Sequence, residues 1–411
     1  MSKRTVRSVP LSLLAAVALI GGTSGASGAL PSGALATGGR SSGTSSSGTS
    51  SSVPSDRRAH ERTRAAMEAL VRAGMPGVVG QARDGRDGHR VWDGAAGTAD
   101  LGRPRAPRAR DRFRIGSNTK TFVATVMLQL EAEHRIRLTD TVERRLPGVV
   151  RGHGNDGSAV TLRQLLDHTS GIFDYAADPA LHKRLFERDF LHHRFDTYTP
   201  GQLVRTAVSH PPVFAPGRGW SYSNTNYVLA GMVIEKVTGH PYGREIRDRV
   251  LRPLGLRATS VPGRSAALPR PGGRGYIRFP DEPGTPFHDV TGINPTEAWA
   301  AGEMISTVGD LNTFYRALLR GRLLPARQLA EMLTTVDTGL RPAARYGLGI
   351  SARKLSCGVT VWGHDGGIQG AVSTVSSVRD ASHTAAFGGN ALGVPFDTLA
   401  LAEAEFCGTT R

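Results

Sequence analysis

The spacing of apolar positions divides the chain into discrete elements. Over residues 60–73 apolar side chains recur at helical intervals, and Gly74 ends the run. Phe122, Val126 and Leu130 recur every fourth position with Val123 and Met127 beside them, which predicts an amphipathic helix over 119–133. Residues 164–168 read as the end of a helix closed by Gly171. A further helix is predicted over 226–237, with Gly239 at its exit and Pro241 beyond. Thr307 followed by Asp310 reads as a capping box opening a helix to Leu319, and 399–406 is a final helix. Residues 76–92 and 113–115 read as short strands. Late in the chain the pattern alternates, predicting strands over 346–353, 359–363, 371–378 and 384–388. Consecutive late strands with helices at both ends imply an α+β fold: an antiparallel β-sheet flanked by helices. A mostly helical lobe is inserted at about 155–290. No internal repeat interrupts this order.

Composition narrows the class. The 411 residues are 39% hydrophobic, too apolar for a disordered chain and too polar for a multi-span membrane protein. The net charge of +16 is nearly all arginine, because lysine occurs only at Lys3, Lys120, Lys183, Lys236 and Lys354. The arginines are scattered, with no basic run and no zinc-finger spacing, so nucleic acid is not an expected partner. Two cysteines exclude a disulfide-dense scaffold and a four-cysteine zinc site.

Lys3, Arg4 and Arg7 precede an apolar run from Leu11 to Ile20, and small residues follow at Ala26–Ala29. This is the polarity order of a signal peptide over 1–29, too short to serve as a transmembrane anchor. The expected location is therefore secreted, in the extracellular or cell-wall space. A Gly/Ser-rich linker over 30–55 cannot bury enough apolar surface to order itself, and the folded region runs over 56–411. Export permits a disulfide, for which Cys357 and Cys407 are the available pair.

Three short motifs carry candidate chemistry. Ser117 and Lys120 stand at i and i+3 where a strand leads into a helix, so they share a face. A serine hydroxyl needs a base, and a lysine whose pKa is lowered by burial can be one. The backbone N–H of Ser117, at the helix start, can serve an oxyanion hole. Tyr222 and Asn224 lie in a Gly/Pro-rich loop before the 226–237 helix. They offer a proton-exchanging phenol and an amide that both donates and accepts. His364 and Gly366 follow a strand, and a position without a side chain beside the nucleophile lets a substrate strand lie against the sheet edge. Each motif alone is commonplace: a surface pair, a loop tyrosine with an N-capping asparagine, a hairpin glycine pair.

Their order and spacing together resemble the serine β-lactamase and penicillin-binding protein superfamily. Within it the chain is most similar to secreted actinomycete D-alanyl-D-alanine carboxypeptidases. The stretches 165–175, 215–240 and 346–358 support the likeness, which covers essentially all of 60–408. The resemblance implies a catalytic domain over 56–411, acyl transfer with no metal and no cofactor, and a monomer. Its substrate would be a peptidoglycan stem peptide or another small acyl compound, with β-lactam antibiotics as acylating inhibitors. Ser117 would be the acylated nucleophile and Lys120 would share its proton. Tyr222 would relay protons, Asn224 would hold the substrate amide, and His364 would steady the protonation network. Whether Lys120 or Tyr222 is the base stays open at the level of sequence. The oxyanion hole would be the N–H groups of Ser117 and Gly367, and Trp299 would line the cleft or simply pack in the core. Cys357 and Cys407 match a family disulfide.

The chain departs from the family where a terminal carboxylate would be anchored. The expected arginine position is Ser351, and the two expected hydroxyl positions are Asp365 and Gly367. Arg353 lies two residues along the same strand and on the same face as Ser351, which makes it the candidate substitute. These departures lead to the expectation that D-Ala-D-Ala peptides are hydrolysed more weakly than by the carboxypeptidases the chain resembles, with a gap that shrinks when the terminal carboxylate is replaced by an ester or amide. An esterase, a β-lactamase, a D-aminopeptidase and a slow-turnover penicillin sensor remain alternatives on the same constellation.

Overall fold

The structure, a computed structural model, describes residues 60–85, 90–282, 284, 287–340 and 344–408. The signal peptide and linker expected over 1–55 lie outside the described residues. In chain order the elements that build the site are α1 (Glu61–Arg72), β1 (Gly77–Asp84), β2 (Arg90–Gly97), β3 (Phe113–Arg114), α2 (Thr119–Ala132), α3 (Leu162–Leu166), α4 (Asn224–Thr238), β4 (Ile305–Ser306) and α5 (Val308–Leu319). They continue with β5 (Val336–Asp337), β6 (Ala344–Tyr346), β7 (Ser351–Lys354), β8 (Thr360–Ile368), β9 (Ala371–Val378), β10 (Thr384–Gly389) and α6 (Thr398–Phe406). One eight-stranded sheet runs in the order β2-β1-β10-β9-β8-β7-β6-β5, antiparallel at every pairing.

Both faces of the sheet are covered, which explains its apolar strands. Side chains alternate between the two cores. Val79, Val375 and Ala386 face the large core with α2, α4 and α5, while Val78, Val372 and Phe387 face a second core with Met67 of α1 and Leu401 of α6. The disulfide Cys357–Cys407, with Cα atoms 5.6 Å apart, ties the β7–β8 connection to the end of α6.

Five local readings are corrected. The strand expected over 346–353 is two, β6 and β7, parted at 347–350. The run over 76–92 is two strands, β1 and β2, rather than one. The helix read as amphipathic, α2, is buried at every position from Thr119 to Leu128, because α4 and α5 lie against it as well as the sheet turn. The Thr307 hydroxyl does accept from Asp310 N, but the Asp310 carboxylate turns away to Ala258 N and Thr259 Oγ1, so the capping box is half formed. A full capping box occurs instead at α3, where Thr161 and Gln164 exchange both bonds. Finally, β8 continues through His364–Gly367 to Ile368, so these residues lie inside a strand and not after it.

Candidate active site

The short β3, paired to β4, delivers the chain into a single 3₁₀ turn, Gly116–Asn118, before α2 begins. Gly116 has φ +51°, and a Cβ there would meet Gly367 N at 2.6 Å. A Cβ on Gly366 would meet Ile115 O at 2.1 Å. Two glycines on facing segments therefore let the serine turn press directly against β8. That sets the Gly367 backbone against Gly116, next to Ser117, as an oxyanion hole built from both residues would require. Asn118 fixes the turn from behind: it donates to Ser373 Oγ at 2.9 Å and accepts from Tyr315 OH at 2.7 Å. Ser373 Oγ in turn donates to Ile115 O.

Lys120 is fully buried one helical turn on. Its Nζ lies 3.0 Å from Ser117 Oγ, 2.8 Å from Asn224 Oδ1 and 2.7 Å from Ala301 O. Desolvation pulls its pKa down to about 7, against the opposing pull of the Asp174 carboxylate. The three partners suit both protonation states. An ammonium donates three times, whereas a neutral amine donates to the two carbonyl oxygens and turns its lone pair toward the Ser117 hydroxyl. A proton can therefore pass between Ser117 and Lys120 without side-chain rearrangement.

The Tyr222 side chain lies close enough to Ser117 for the serine to act on its titration. Burial raises its pKa above the ordinary tyrosine value, Ser117 working against that rise, so Tyr222 stands as a neutral phenol. Lys120 Nζ sits 4.8 Å above its ring. Asn224 is the first residue of α4, whose cap is Ser223, so the asparagine is not a cap. Its Oδ1 faces Lys120 and its Nδ2 donates to Asp174 Oδ2 at 3.0 Å. His364 is buried, with its Nε2 2.7 Å from Tyr346 OH and its pKa lowered to about 4 by desolvation and by Lys120. Its ring centroid is 6.4 Å from that of Tyr222, so it reaches the network through its surroundings and not by a bond to Tyr222.

The remaining expected residues separate from this cluster. The Trp299 ring packs T-shaped on Tyr242 at 4.7 Å, and a Cβ on Gly231 would strike it at 2.8 Å, so its ring is set against the helical core. Its backbone matters more: φ +36° at Trp299 opens the tight turn that brings Ala301 O to Lys120. Ser351 donates to Gly363 O at 2.9 Å. Arg353 does not reach toward the nucleophile. It contacts Asp365 Oδ2 at 3.4 Å and Thr398 Oγ1 at 3.3 Å, and Asp365 also accepts from Thr374 and Thr398 hydroxyls. Arg353 and Asp365 thus neutralise each other.

Sequence reasoning missed four contributors: Asp174, Ala301 O, Tyr346 and His168. Asp174 and His168 lie inside the 165–175 stretch and Tyr346 begins the 346–358 stretch, both quoted only as supporting likeness. Nothing in the sequence marks a main-chain carbonyl such as Ala301 O. His168 is buried with its ring 4.3 Å from Tyr222 and 4.9 Å from Tyr346, and its Nδ1 accepts from Ser223 N. Burial lowers its pKa well below the usual value, which keeps it neutral beside the phenols.

A family model described as beta-lactamase matches residues 60–404. The structure superposes on a D-stereospecific amidohydrolase from Streptomyces sp. with a TM-score of 0.80 and 53% identity, covering 85% of this chain and 99% of that one. A D-amino acid amidase from Ochrobactrum anthropi SV3 gives a TM-score of 0.72 at 26% identity, with 85% and 99% covered. Among curated proteins, esterase EstB of Burkholderia gladioli is 37% identical over 177 residues, 42% of this chain and 44% of that protein. The matches span at most 62% of the length of the first curated relatives.

Proposed function

The chain belongs to the beta-lactamase family and is a serine hydrolase of the β-lactamase and penicillin-binding protein type; from that premise we propose that it hydrolyses amides and esters of D-amino acids or short D-peptides whose leaving group bears no free carboxylate. One observation carries the reading. At the position where an arginine would hold a terminal carboxylate, Ser351 donates to Gly363 O, and its candidate substitute Arg353 is spent on Asp365 and Thr398. The 53% identity to the Streptomyces D-stereospecific amidohydrolase supports the D configuration.

In this reading Ser117 Oγ attacks the acyl carbon while its proton passes to Lys120, the group whose pKa of about 7 suits a base near neutrality. Tyr222, whose pKa burial raises, is the poorer base of the two and in this reading relays the proton to the leaving nitrogen as the C–N bond breaks. The oxyanion sits between the N–H groups of Ser117 and Gly367. Water then cleaves the Ser117 ester along the same path, releasing the acid. Asn224 meets the substrate only with the Nδ2 proton that Asp174 leaves unused.

A second reading, D-alanyl-D-alanine carboxypeptidase acting on peptidoglycan stem peptides, is favoured by the resemblance that the Ser117, Tyr222 and His364 motifs together bear to such carboxypeptidases, with His364 and Gly366 held in β8. Both readings make β-lactams acylating inhibitors of Ser117, and both suit secretion into the cell-wall space and a monomer. The test is kcat/KM for a D-aminoacyl amide, its L isomer, and a D-Ala-D-Ala peptide with free or amidated end. The D amide should exceed the L isomer by about a hundredfold. The amidated peptide should exceed the free one by about 10- to 150-fold, the size of one missing charge-assisted bond. Ser351→Arg with Asp365→Thr should raise kcat/KM for the free carboxylate alone. A free-end peptide cleaved faster than every amide would establish the carboxypeptidase reading instead.

A further inference from the structure

Behind the nucleophile, one carboxylate has no part in the chemistry proposed above. Asp174 follows α3 in a loop and caps a short 3₁₀ turn, its Oδ1 accepting from Ala176 N at 3.2 Å. Its Oδ2 accepts from Asn224 Nδ2 at 3.0 Å. That bond fixes which way round the Asn224 amide stands. Nδ2 must face the carboxylate, so Oδ1 must face Lys120, as it does at 2.8 Å. Were the amide reversed, its NH₂ would point at the lysine and its oxygen at the carboxylate, losing both bonds and setting two donors face to face.

The consequence reaches the nucleophile. With Asn224 Oδ1 and Ala301 O as obligate acceptors, two N–H bonds of Lys120 are assigned and the third tetrahedral direction of Nζ points to Ser117 Oγ, 3.0 Å away. We propose that Asp174 is a positioning residue of the acyl-transfer site: by orienting the Asn224 amide and supplying a negative charge behind it, it aims Lys120 at Ser117 and sets the pH at which Lys120 becomes a base. This inference rests on the serine acyl-enzyme reading and not on the choice of D-amide or peptide substrate.

The groups facing this pair come from every neighbouring element. Lys120 projects from α2, Asn224 from α4, Tyr222 from the loop before α4, and Tyr175 lies beside Asp174 itself. His168 and His364 face Lys120 from the α3 loop and β8. Both imidazoles have lowered pKa values, leaving Asp174 as the negative charge felt by Lys120. Desolvation lifts the Asp174 carboxyl to about 6, and Lys120 pulls the other way.

The test follows covalent labelling of Ser117 by a fluorophosphonate probe as a function of pH, read alongside kcat and KM for the best amide or ester. Asp174→Asn keeps an oxygen for Asn224 Nδ2 and removes the charge. Losing a negative neighbour lowers the pKa of Lys120, so the acidic limb of the labelling rate should move about one pH unit lower. Asp174→Glu keeps the charge and should hold the limb at its wild-type position even where kcat falls. Should Asp174→Asn not fold, Asp174→Ser reads the same limb. A limb unmoved in the neutral variants, or moved equally in Asp174→Glu, overturns the proposal even if activity drops, because a purely structural role would lower rates without moving the limb. A wild-type chain in which the probe labels a residue other than Ser117 overturns the serine reading, and this inference with it.

Discussion

Lys120 is a buried amine with three oxygen partners and the Asp174 carboxylate as its nearby counter-charge. Its ordinary pKa of 10.5 falls to about 7, so its base form grows as pH rises through about 7. Acylation of Ser117 should therefore rise about tenfold per unit below that pH and level off above it. His364, at about 4, is already neutral there and adds no second limb. A stopped-flow pH profile of acyl-enzyme formation measures this, and a limb near 10 would show that burial does not control the lysine. Ser117→Ala should abolish covalent labelling and leave the fold intact, because the half-buried hydroxyl makes its bonds only to the reacting groups. Intact mass with penicillin and circular dichroism check both halves of that statement. Tyr222→Phe removes the phenol but keeps the ring beside His168, so turnover should fall about 10²- to 10⁴-fold with little loss of stability.

Among the elements, α1 and α6 come from opposite ends of the described chain yet lie together on one face of the sheet. A ring of charges joins them. Glu405 of α6, with a fully buried side chain, accepts from Thr63 of α1 at 2.6 Å and pairs with His60 and His383, while Asp84 at the end of β1 contacts both histidines. Burial pushes the His383 pKa down, but its bonds to Asp84 and Glu405 outweigh that and raise it to about 9. Burial likewise pushes Glu405 up, and its histidine partners bring it down to about 2. The histidine's contribution to stability is full below its unfolded value of 6.5 and is lost as pH rises through about 9. The carboxylate's contribution is full above 4.5 and is lost as pH falls through about 2. Glu405→Gln should thus cost most between about pH 4.5 and 6.5, roughly 1.5–3 kcal/mol, and progressively less toward pH 9. Denaturant melts across that range measure it, and a cost independent of pH would rule out the ion-pair account. The nearby Cys357–Cys407 bond closes a loop with a sequence separation of 50, for which chain entropy gives about 4 kcal/mol.

At the scale of the whole molecule, the Ser117–Lys120 cluster lies on one side of the sheet and α1 and α6 on the other, so these two helices act on the candidate site only through the strands. Removing residues 398–411 would take away α6, the disulfide and Glu405, uncovering Met67 and Phe387. The expected outcome is loss of soluble, cooperatively folding protein, measured by yield and thermal melting, and a truncated chain that stays folded and labels at Ser117 would show the outer layer to be dispensable. The amino-acid sequence by itself determined the α+β class and most of the late strands, and it singled out Ser117, Lys120, Tyr222, Asn224 and His364 as candidates. Alternation, helical spacing and short motifs are local, and local patterns survive without coordinates. It did not determine that α2 is enclosed on all sides, because a helix's neighbours are set by segments far away in sequence. Nor could it determine the fate of Arg353: being on the right strand says nothing about Asp365, twelve residues along, and Thr398 drawing its guanidinium aside. Only the tertiary structure brought Asp174 and the Ala301 carbonyl to Lys120, across 54 and 181 positions of sequence, and it is burial among these partners that brings the lysine's pKa down to about 7.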